Sequence, residues 1–401
     1  MHRRNLLISI AGAPALLATP LLATPLLAHA ATATVRAPPH PLSQIPRALQ
    51  FPADFGAHPQ TDTEWWYLTG ELQADTRLWG FQVTFFRVAT ERATAATRPA
   101  STPPRSRFAP AQLLLAHAAL TDLTAGRLRH DQRVARSGFG IAQARADDTA
   151  VALRDWSLRR TPWVGKSSAP ASARSTAAAP VLSRYLARVA SDSAGFALDL
   201  ECDTSQALLL QGDAGVSRKG PGPRDTSRYY SQPQLQTRGT LTLDGKAIAV
   251  QGRAWLDHEW SDGYIPAGAV GWDWIGMNLA DGSALTAFRM RRADGSSLYA
   301  GGSFRAPGQP SRSFSADSVR FVPGRVWESG ATRARYPVQW TVETPAGSWR
   351  VQALLDNQEL DSRASTGGIY WEGLSDLLDA NGARVGRGYL EMTGYAAALR
   401  L

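Results

Sequence analysis

The segment Trp79-Gly80-Phe81-Gln82-Val83-Thr84-Phe85 alternates without a break, with Trp79, Phe81, Val83 and Phe85 on one face. A side-chain period of two belongs to a strand, here read as half-buried, and no helix accommodates it. The pattern recurs from Phe196 to Cys202, and Ser348 to Leu354 and Gly388 to Met392 read as further strands. From Ala284 to Arg291, Phe288 and Met290 face one side and Arg289 and Arg291 the other. Leu241 to Ile248 reads as a hairpin on the turn Asp244-Gly245, with Leu241 facing Ile248. Helical periodicity is nearly absent. Short strands with turn signals about every 8–12 residues require a sandwich or barrel, so the expected fold class is all-β. Trp66, Leu72, Ala74-Asp75 and Phe86-Arg87 recur in order as Trp274, Leu279, Ala280-Asp281 and Phe288-Arg289. The echo points to a duplicated β-barrel-like unit.

Composition narrows the function. The 401 residues are 44% hydrophobic and 19% charged, a globular balance with room for more than one core. The net charge is +9, yet the arginines are scattered and form no basic run. No nucleic-acid partner is expected. Cys202 is the sole cysteine, so an internal disulfide and a Cys-based zinc site are both ruled out. It lies in an alternating run and reads as a small buried hydrophobe.

Chemistry concentrates where carboxylates sit beside indoles. Trp255-Leu256-Asp257-His258-Glu259-Trp260 is the densest such stretch, and Trp272-Asp273-Trp274, Glu64-Trp65-Trp66-Tyr67 and Tyr370-Trp371-Glu372 repeat it. Apolar walls disfavour the charged form of a carboxyl and keep a proton on it at neutral pH. The candidate catalytic residues are Asp257, His258, Glu259 and Asp273. The candidate ligand-binding residues are Glu64, Trp65, Trp66, Tyr67, His117, Trp260, Trp272, Trp274, Tyr370, Trp371 and Glu372. No G-x-S-x-G elbow, P-loop or G-x-G-x-x-G occurs, which removes support for the common serine hydrolases, P-loop NTPases and dinucleotide enzymes. A metal site would have to use His117, His258 and nearby acids, and no H-x-x-x-H pair supports one. Neither a metal nor a cofactor is expected.

Several of these motifs carry a family resemblance. They are Phe51-Pro52-x-Asp54-Phe55-x-x-His58-Pro59, Thr63 to Gly70, Trp79-Gly80-Phe81-Gln82, Phe85-Phe86-Arg87, Ala116-His117, Tyr229-Tyr230-Ser231, Trp255 to Trp260 and Trp272-Asp273-Trp274. Together they resemble the carotenoid 1,2-hydratase/AttH-type family, from about Phe51 to the C-terminus. The resemblance implies two lipocalin-like β-barrel domains in tandem, over 51–232 and 233–401. For the hydratases of the family it implies addition of water across a terminal isoprenoid double bond without a cofactor. On the enzyme reading, Asp257 or Asp273 is the acid and His258 or Glu259 orients the water. Trp66, Trp260 and Trp274 then stabilise the cation through their ring faces. The same groups would serve an acid-assisted hydrolysis. The alternative is a non-catalytic carrier of a lipid or pigment, held in the mouth or lumen of a barrel and passed to a membrane transporter.

The N-terminal residues read as an export signal over 1–30, followed by an extended leader over 31–50. Arg3-Arg4 precede an uncharged run from Leu6 to Ala28, and Ala28-His29-Ala30 has the small-x-small pattern of a cleavage site. The arginine pair resembles a twin-arginine signal. The expected location is periplasmic or secreted. Thr94–Arg107 and Lys166–Pro180 lack periodicity and read as inserts between strands. Intact-mass measurement of the periplasmic fraction should give a chain starting near Ala31; a mass that includes Met1 would exclude cleavage.

Overall fold

The structure, a computed structural model, describes residues 48–90, 112–163, 182–263 and 265–399. The export segment, the leader up to residue 47 and the inserts Thr94–Arg107 and Lys166–Pro180 lie outside these residues. Among the described residues there are strands and two short 3-10 turns but no α-helix.

The first sheet comprises β1 (Thr63–Ala74), β2 (Arg77–Ala89), β3 (Gln112–Asp122), β4 (Arg127–Arg136), β5 (Ala142–Ala144), β6 (Ala150–Leu153), β7 (Trp156–Pro162), β8 (Ser183–Ser191), β9 (Phe196–Asp203), β10 (Leu209–Leu210), β11 (Val216–Arg218), β12 (Thr226–Leu243) and β13 (Lys246–Ser261). Their order is β4-β3-β2-β1-β13-β12-β9-β8-β7-β6-β5, with β10 and β11 laid on β12. The sheet curls until its ends approach. There Arg133 of β4 bonds the carbonyl of Ala190 on β8 and pairs with Asp155. Trp66, Leu68, Phe81, Val83, Phe85, Leu114, Trp156, Leu200 and Leu256 fill the interior.

The second sheet comprises β14 (Gly271–Leu279), β15 (Ala284–Arg291), β16 (Ser297–Arg305), β17 (Arg312–Phe314), β18 (Arg320–Pro323), β19 (Val326–Glu328), β20 (Arg335–Pro337), β21 (Gln339–Thr344), β22 (Gly347–Ala353), β23 (Glu359–Asp361), β24 (Ile369–Leu378) and β25 (Arg384–Thr393), with β19 and β20 forming a separate pair. It wraps its own core of Ile275, Met277, Leu285, Tyr336, Trp340, Trp371 and Leu390. The expected all-β fold of two lipocalin-like barrel units in tandem holds.

Three expectations change in detail. The passage from one sheet to the other does not fall at 232/233. Pro233 has no N–H to give to a ladder. The chain answers with a bulge between Gln232 and Leu235, Gln234 taking φ 58, and β12 then continues in the first sheet with β13. The sheets change over between Ser261 and Gly271. The segment Trp79–Phe85 is not half-buried. Its alternate face of Gly80, Gln82 and Thr84 is buried too, because the second sheet lies against it. Finally, Trp66 and Trp274 are not equivalent: Trp66 points into the first core and Trp274 toward the space between the sheets.

The hairpin turn behaves as its sequence requires. Asp244 and Gly245 both take positive φ, 49 and 79, and Leu241 pairs with Ile248. Cys202 is buried inside the first sheet, and burial pushes its thiol up to about 12.

The two sheets touch at Trp255, Trp274, Leu374 and Tyr389 and separate beyond them. Gly80 permits the contact: a Cβ there would lie 2.8 Å from the Tyr389 hydroxyl and 2.9 Å from Leu374 Cβ. Gly80→Ala is expected to lower stability by about 1–3 kcal/mol through this overpacking, read as a drop in thermal midpoint.

Candidate active site

Strand alternation gives β1, β2, β3 and the Ala254–Ser261 half of β13 two buried faces. One lines the first core and the other faces the second sheet. Directly paired residues share a face, so the outer face can be read along the registers. One row runs His117, Thr84, Tyr67, Asp257, Ser231 across β3, β2, β1, β13 and β12. The next row runs Leu115, Phe86, Trp65, Glu259, Tyr229. Facing them, the second sheet presents Glu372, Glu391, Trp274 and Phe288 in one row across β24, β25, β14 and β15. Between these faces lies a cavity of about 680 Å³. The interior of the first sheet itself is filled with side chains, so the open space lies between the sheets and not in the lumen.

Asp257 is the central group. Its Oδ1 accepts hydrogen bonds from Ser231 Oγ (2.5 Å) and Trp255 Nε1 (2.7 Å), and its Oδ2 from the Tyr229 hydroxyl (2.8 Å). Trp274 Nε1 donates in turn to the Tyr229 oxygen at 3.2 Å. All three donors to Asp257 are neutral. They favour its carboxylate, but burial outweighs them and raises the carboxyl to about 7. Glu259, two residues along the same face, is paired with Lys219 Nζ at 2.8 Å. Lys219 also rests over the rings of Tyr229 and Phe288, at 4.7 and 4.5 Å.

On the facing wall Glu372 and Glu391 are direct cross-strand neighbours. Burial, and then the neighbouring Glu391 carboxylate, raises Glu372 well above the usual range. Burial also raises Glu391 to about 8, with Asp257 and Glu259 adding repulsion. Trp272 Nε1 donates to Glu391 at 3.2 Å. Two adjacent carboxyls with no cation between them retain at least one proton near neutral pH.

His117 closes one end. Burial lowers it to about 3, so the ring is neutral. Its tautomer follows from its partners. Ser365 Oγ donates to Gln132 Oε1 at 2.5 Å, so it can only accept from His117 Nε2, 2.8 Å away. The Tyr370 hydroxyl then donates to Nδ1 at 2.8 Å. An Nε2–H facing Ser365 cannot act as the base that a serine nucleophile needs.

Of the expected site residues, the cavity collects Trp65, Tyr67, His117, Asp257, Glu259, Trp272, Trp274, Tyr370 and Glu372. The side chains of Glu64, Trp66, His258 and Trp260 point the other way, to the inner side of the first sheet. Asp273 and Trp371 point into the second sheet. There Asp273 is fully buried against Arg289 Nε (2.6 Å) and the Tyr395 hydroxyl (2.8 Å), so it does not join the cavity carboxyls. Lys219, Tyr229, Ser231 and Glu391 were not among the expected residues. Glu391 lies in an expected strand but has no aromatic neighbour in sequence to flag it.

His58, Glu64 and His258 form a separate buried cluster whose ligand-type atoms lie within 4.8 Å of one another. Glu64 Oε1 takes His58 Nδ1 at 2.7 Å and His258 Nε2 at 2.8 Å, and Glu64 Oε2 takes Arg87 Nε at 2.7 Å. His58 Nε2 meets Asp54 Oδ1 at 3.1 Å. With a carboxylate at each ring nitrogen, His58 is an imidazolium; burial opposes its charge, but Asp54 and Glu64 raise it overall. His258 accepts from Tyr230 and stays neutral, lowered to about 4 chiefly by burial. Two carboxylates are thus balanced by His58 and Arg87. A divalent ion in place of the His58 proton would leave excess positive charge in a fully buried site, so these residues fit a metal poorly.

These features define a class: an all-β protein of two packed sheets with an acid-lined, aromatic-walled cavity between them. The chain belongs to the AttH-like family, whose model matches residues 43–395. A crystal structure of an AttH protein from Nitrosomonas europaea is 43% identical, covers 87% of this chain and 98% of its own, and superposes with a TM-score of 0.74. Kievitone hydratase from Nectria haematococca shares the fold, with a TM-score of 0.60, 14% identity and coverage of 89% of this chain and 95% of its own. The dehydratase asqC of Emericella nidulans is 25% identical over 187 residues, which is 43% of this chain and only half of that relative's length.

The raised Asp257 has a sign-definite consequence for stability. A carboxyl raised in the folded state binds more protons folded than unfolded, so its contribution falls as pH rises from about 4 to about 7. Relative to Asp257→Asn, the wild type should lose up to about 4 kcal/mol across that window, measured by denaturant unfolding of both proteins at each pH. A difference that is flat with pH would refute the raised value.

Proposed function

We propose that the protein is a cofactor-free hydratase or dehydratase that works by acid–base catalysis on an apolar, isoprenoid-like alkene or its alcohol. The observation that carries this reading is a buried carboxyl met only by neutral donors on the wall of an apolar cavity, two residues from an ion-paired carboxylate on the same face. Residues i and i+2 of a strand stand roughly 7 Å apart, room for a substrate carbon and a water between acid and base. In hydration, the Asp257 carboxyl gives its proton to one alkene carbon. The positive charge that develops on the neighbouring carbon meets the indole faces of Trp272 and Trp274. Water adds to that carbon and loses a proton to Glu259, leaving the alcohol. Proton exchange with solvent restores both groups. Dehydration is the same path reversed. The protonated member of the Glu372–Glu391 pair supplies a hydrogen-bond donor on the opposite wall.

The names of a hydratase with this fold and of a dehydratase relative support the reaction class. A periplasmic or secreted location belongs to the same reading, supported by Arg3-Arg4, the apolar run and Ala28-His29-Ala30.

The test is incubation of purified protein in oxygen-18 water with a panel of terpenoid alkenes and tertiary alcohols, followed by mass spectrometry. Asp257→Asn should cut label exchange at least about a hundredfold, the usual weight of a general acid, while its melting point at neutral pH is equal or higher. Binding of panel members without turnover by the wild type would replace the enzyme with the carrier.

A further inference from the structure

The sheets meet where Gly80 lies against Leu374 and Tyr389. Two residues further along β2 stands Gln82, and two residues back along β24 stands Glu372, and both line the cavity. Tyr67 of β1 lines it beside them. The three side chains are all but closed to solvent, at 2%, 3% and 6% exposure. Yet Gln82 Oε1, Glu372 Oε1 and the Tyr67 hydroxyl make no hydrogen bond. Tyr67 and Glu372 are electrostatic neighbours, without hydrogen-bond geometry between them. A buried polar group left unmatched is costly, and native folds keep few of them. Three on the walls of one cavity point to a ligand group that completes them.

The nature of that group follows from what each side chain can give. Gln82 spends its Nε2–H on Thr84 Oγ1 (2.6 Å), which leaves Oε1 as an acceptor. The Tyr67 hydroxyl is a donor. Glu391 receives the Trp272 N–H at 3.2 Å, whereas Glu372 Oε1 receives nothing, so the proton retained by this carboxyl pair rests on Glu372. Two donors and one acceptor match a hydroxyl, which offers two lone pairs and one proton. A carbonyl would leave Gln82 Oε1 unmatched, and a carboxylate would be repelled by Glu391.

We propose that this end of the cavity is a hydroxyl-binding subsite, and that the substrate is an unsaturated alcohol. The inference rests on the acid–base reading of the cavity and names the substrate class for it. Tyr67 and Glu372 donate to the ligand oxygen, and the ligand proton goes to Gln82. Gln82 shares a row with Thr69 and Trp255, on one side of the row that holds Asp257, and Glu259 lies on the other side. The anchoring hydroxyl is therefore distinct from the one added or removed beside Glu259. It sets which double bond of the chain meets Asp257.

The experiment is a tryptophan-fluorescence titration of the purified protein at neutral pH with farnesol, its methyl ether and the corresponding hydrocarbon. The ether keeps the oxygen but has no proton for Gln82, and the hydrocarbon has neither. Farnesol should bind at least about tenfold more tightly than either, since a site built around a hydroxyl rejects analogues that lack it. Tyr67→Phe should remove most of that preference and leave hydrocarbon binding unchanged. Its melting point should be equal or higher, because an unmatched buried hydroxyl has gone. Glu372→Gln retains a donor and should keep the preference, whereas Glu372→Met should lose it. Equal binding of the three compounds would overturn the proposal, leaving an end of the cavity that holds only water. Failure of farnesol to bind would overturn it too. So would a Tyr67→Phe protein that melts several degrees lower, since the hydroxyl would then be matched within the fold. None of these readouts needs turnover, so the acid–base reading is decided separately, by label exchange at Asp257.

Discussion

The pairing of β1 with β13 governs most of what this molecule can do. Thr63 and Ser261, 198 residues apart in sequence, meet at one end of it. Closing so long a loop costs little more than closing a short one, because the entropy grows only with the logarithm of length. The return is large, since Trp66–Gly70 of β1 and Ala254–Ser261 of β13 become buried on both faces. The same register sets Trp66 opposite His258 and Tyr67 opposite Asp257, so one ladder builds the inner ion cluster and the outer cavity wall together.

The two sides of that ladder show how partner charge decides the state of a buried acid. Glu64 and Asp257 are both removed from water. Glu64 is met by Arg87 and by the imidazolium of His58, and despite burial its hydrogen bonds from His258 and His58 hold it well below the ordinary range. Asp257 is met only by a hydroxyl, a phenol and an indole, which cannot repay the loss of hydration. The inner cluster is therefore a fixed set of charges, and the outer one retains exchangeable protons.

The fold was legible from strand periodicity and from the Asp244-Gly245 turn, because these are local. The site was legible in composition but not in side. Asp257-His258-Glu259 and Trp272-Asp273-Trp274 look like compact constellations in sequence, yet neighbours on a strand point in opposite directions. His258 and Asp273 could not share a site with Asp257 and Trp274 once both segments were strands. Which parity faces the cavity is a long-range matter, settled by the packing of one sheet on the other. Lys219 and Glu391 carry no sequence signal because they enter through strand pairing and a loop contact. The bulge at Pro233 was not legible, and the boundary expected at 232/233 falls inside a continuing strand.

The cavity is lined by the outward-pointing halves of strands whose inward-pointing halves make the two cores. A change at Phe86, Trp65 or Phe288 alters the shape of the cavity, while the neighbours Phe85, Trp66 and Ala287 continue to hold their sheet. The shape of the cavity and the folding of the sheets are thereby placed on opposite parities of the same strands. A lineage built on this scaffold is free to reshape the cavity by substitutions at every second residue, without renegotiating the cores that keep it folded.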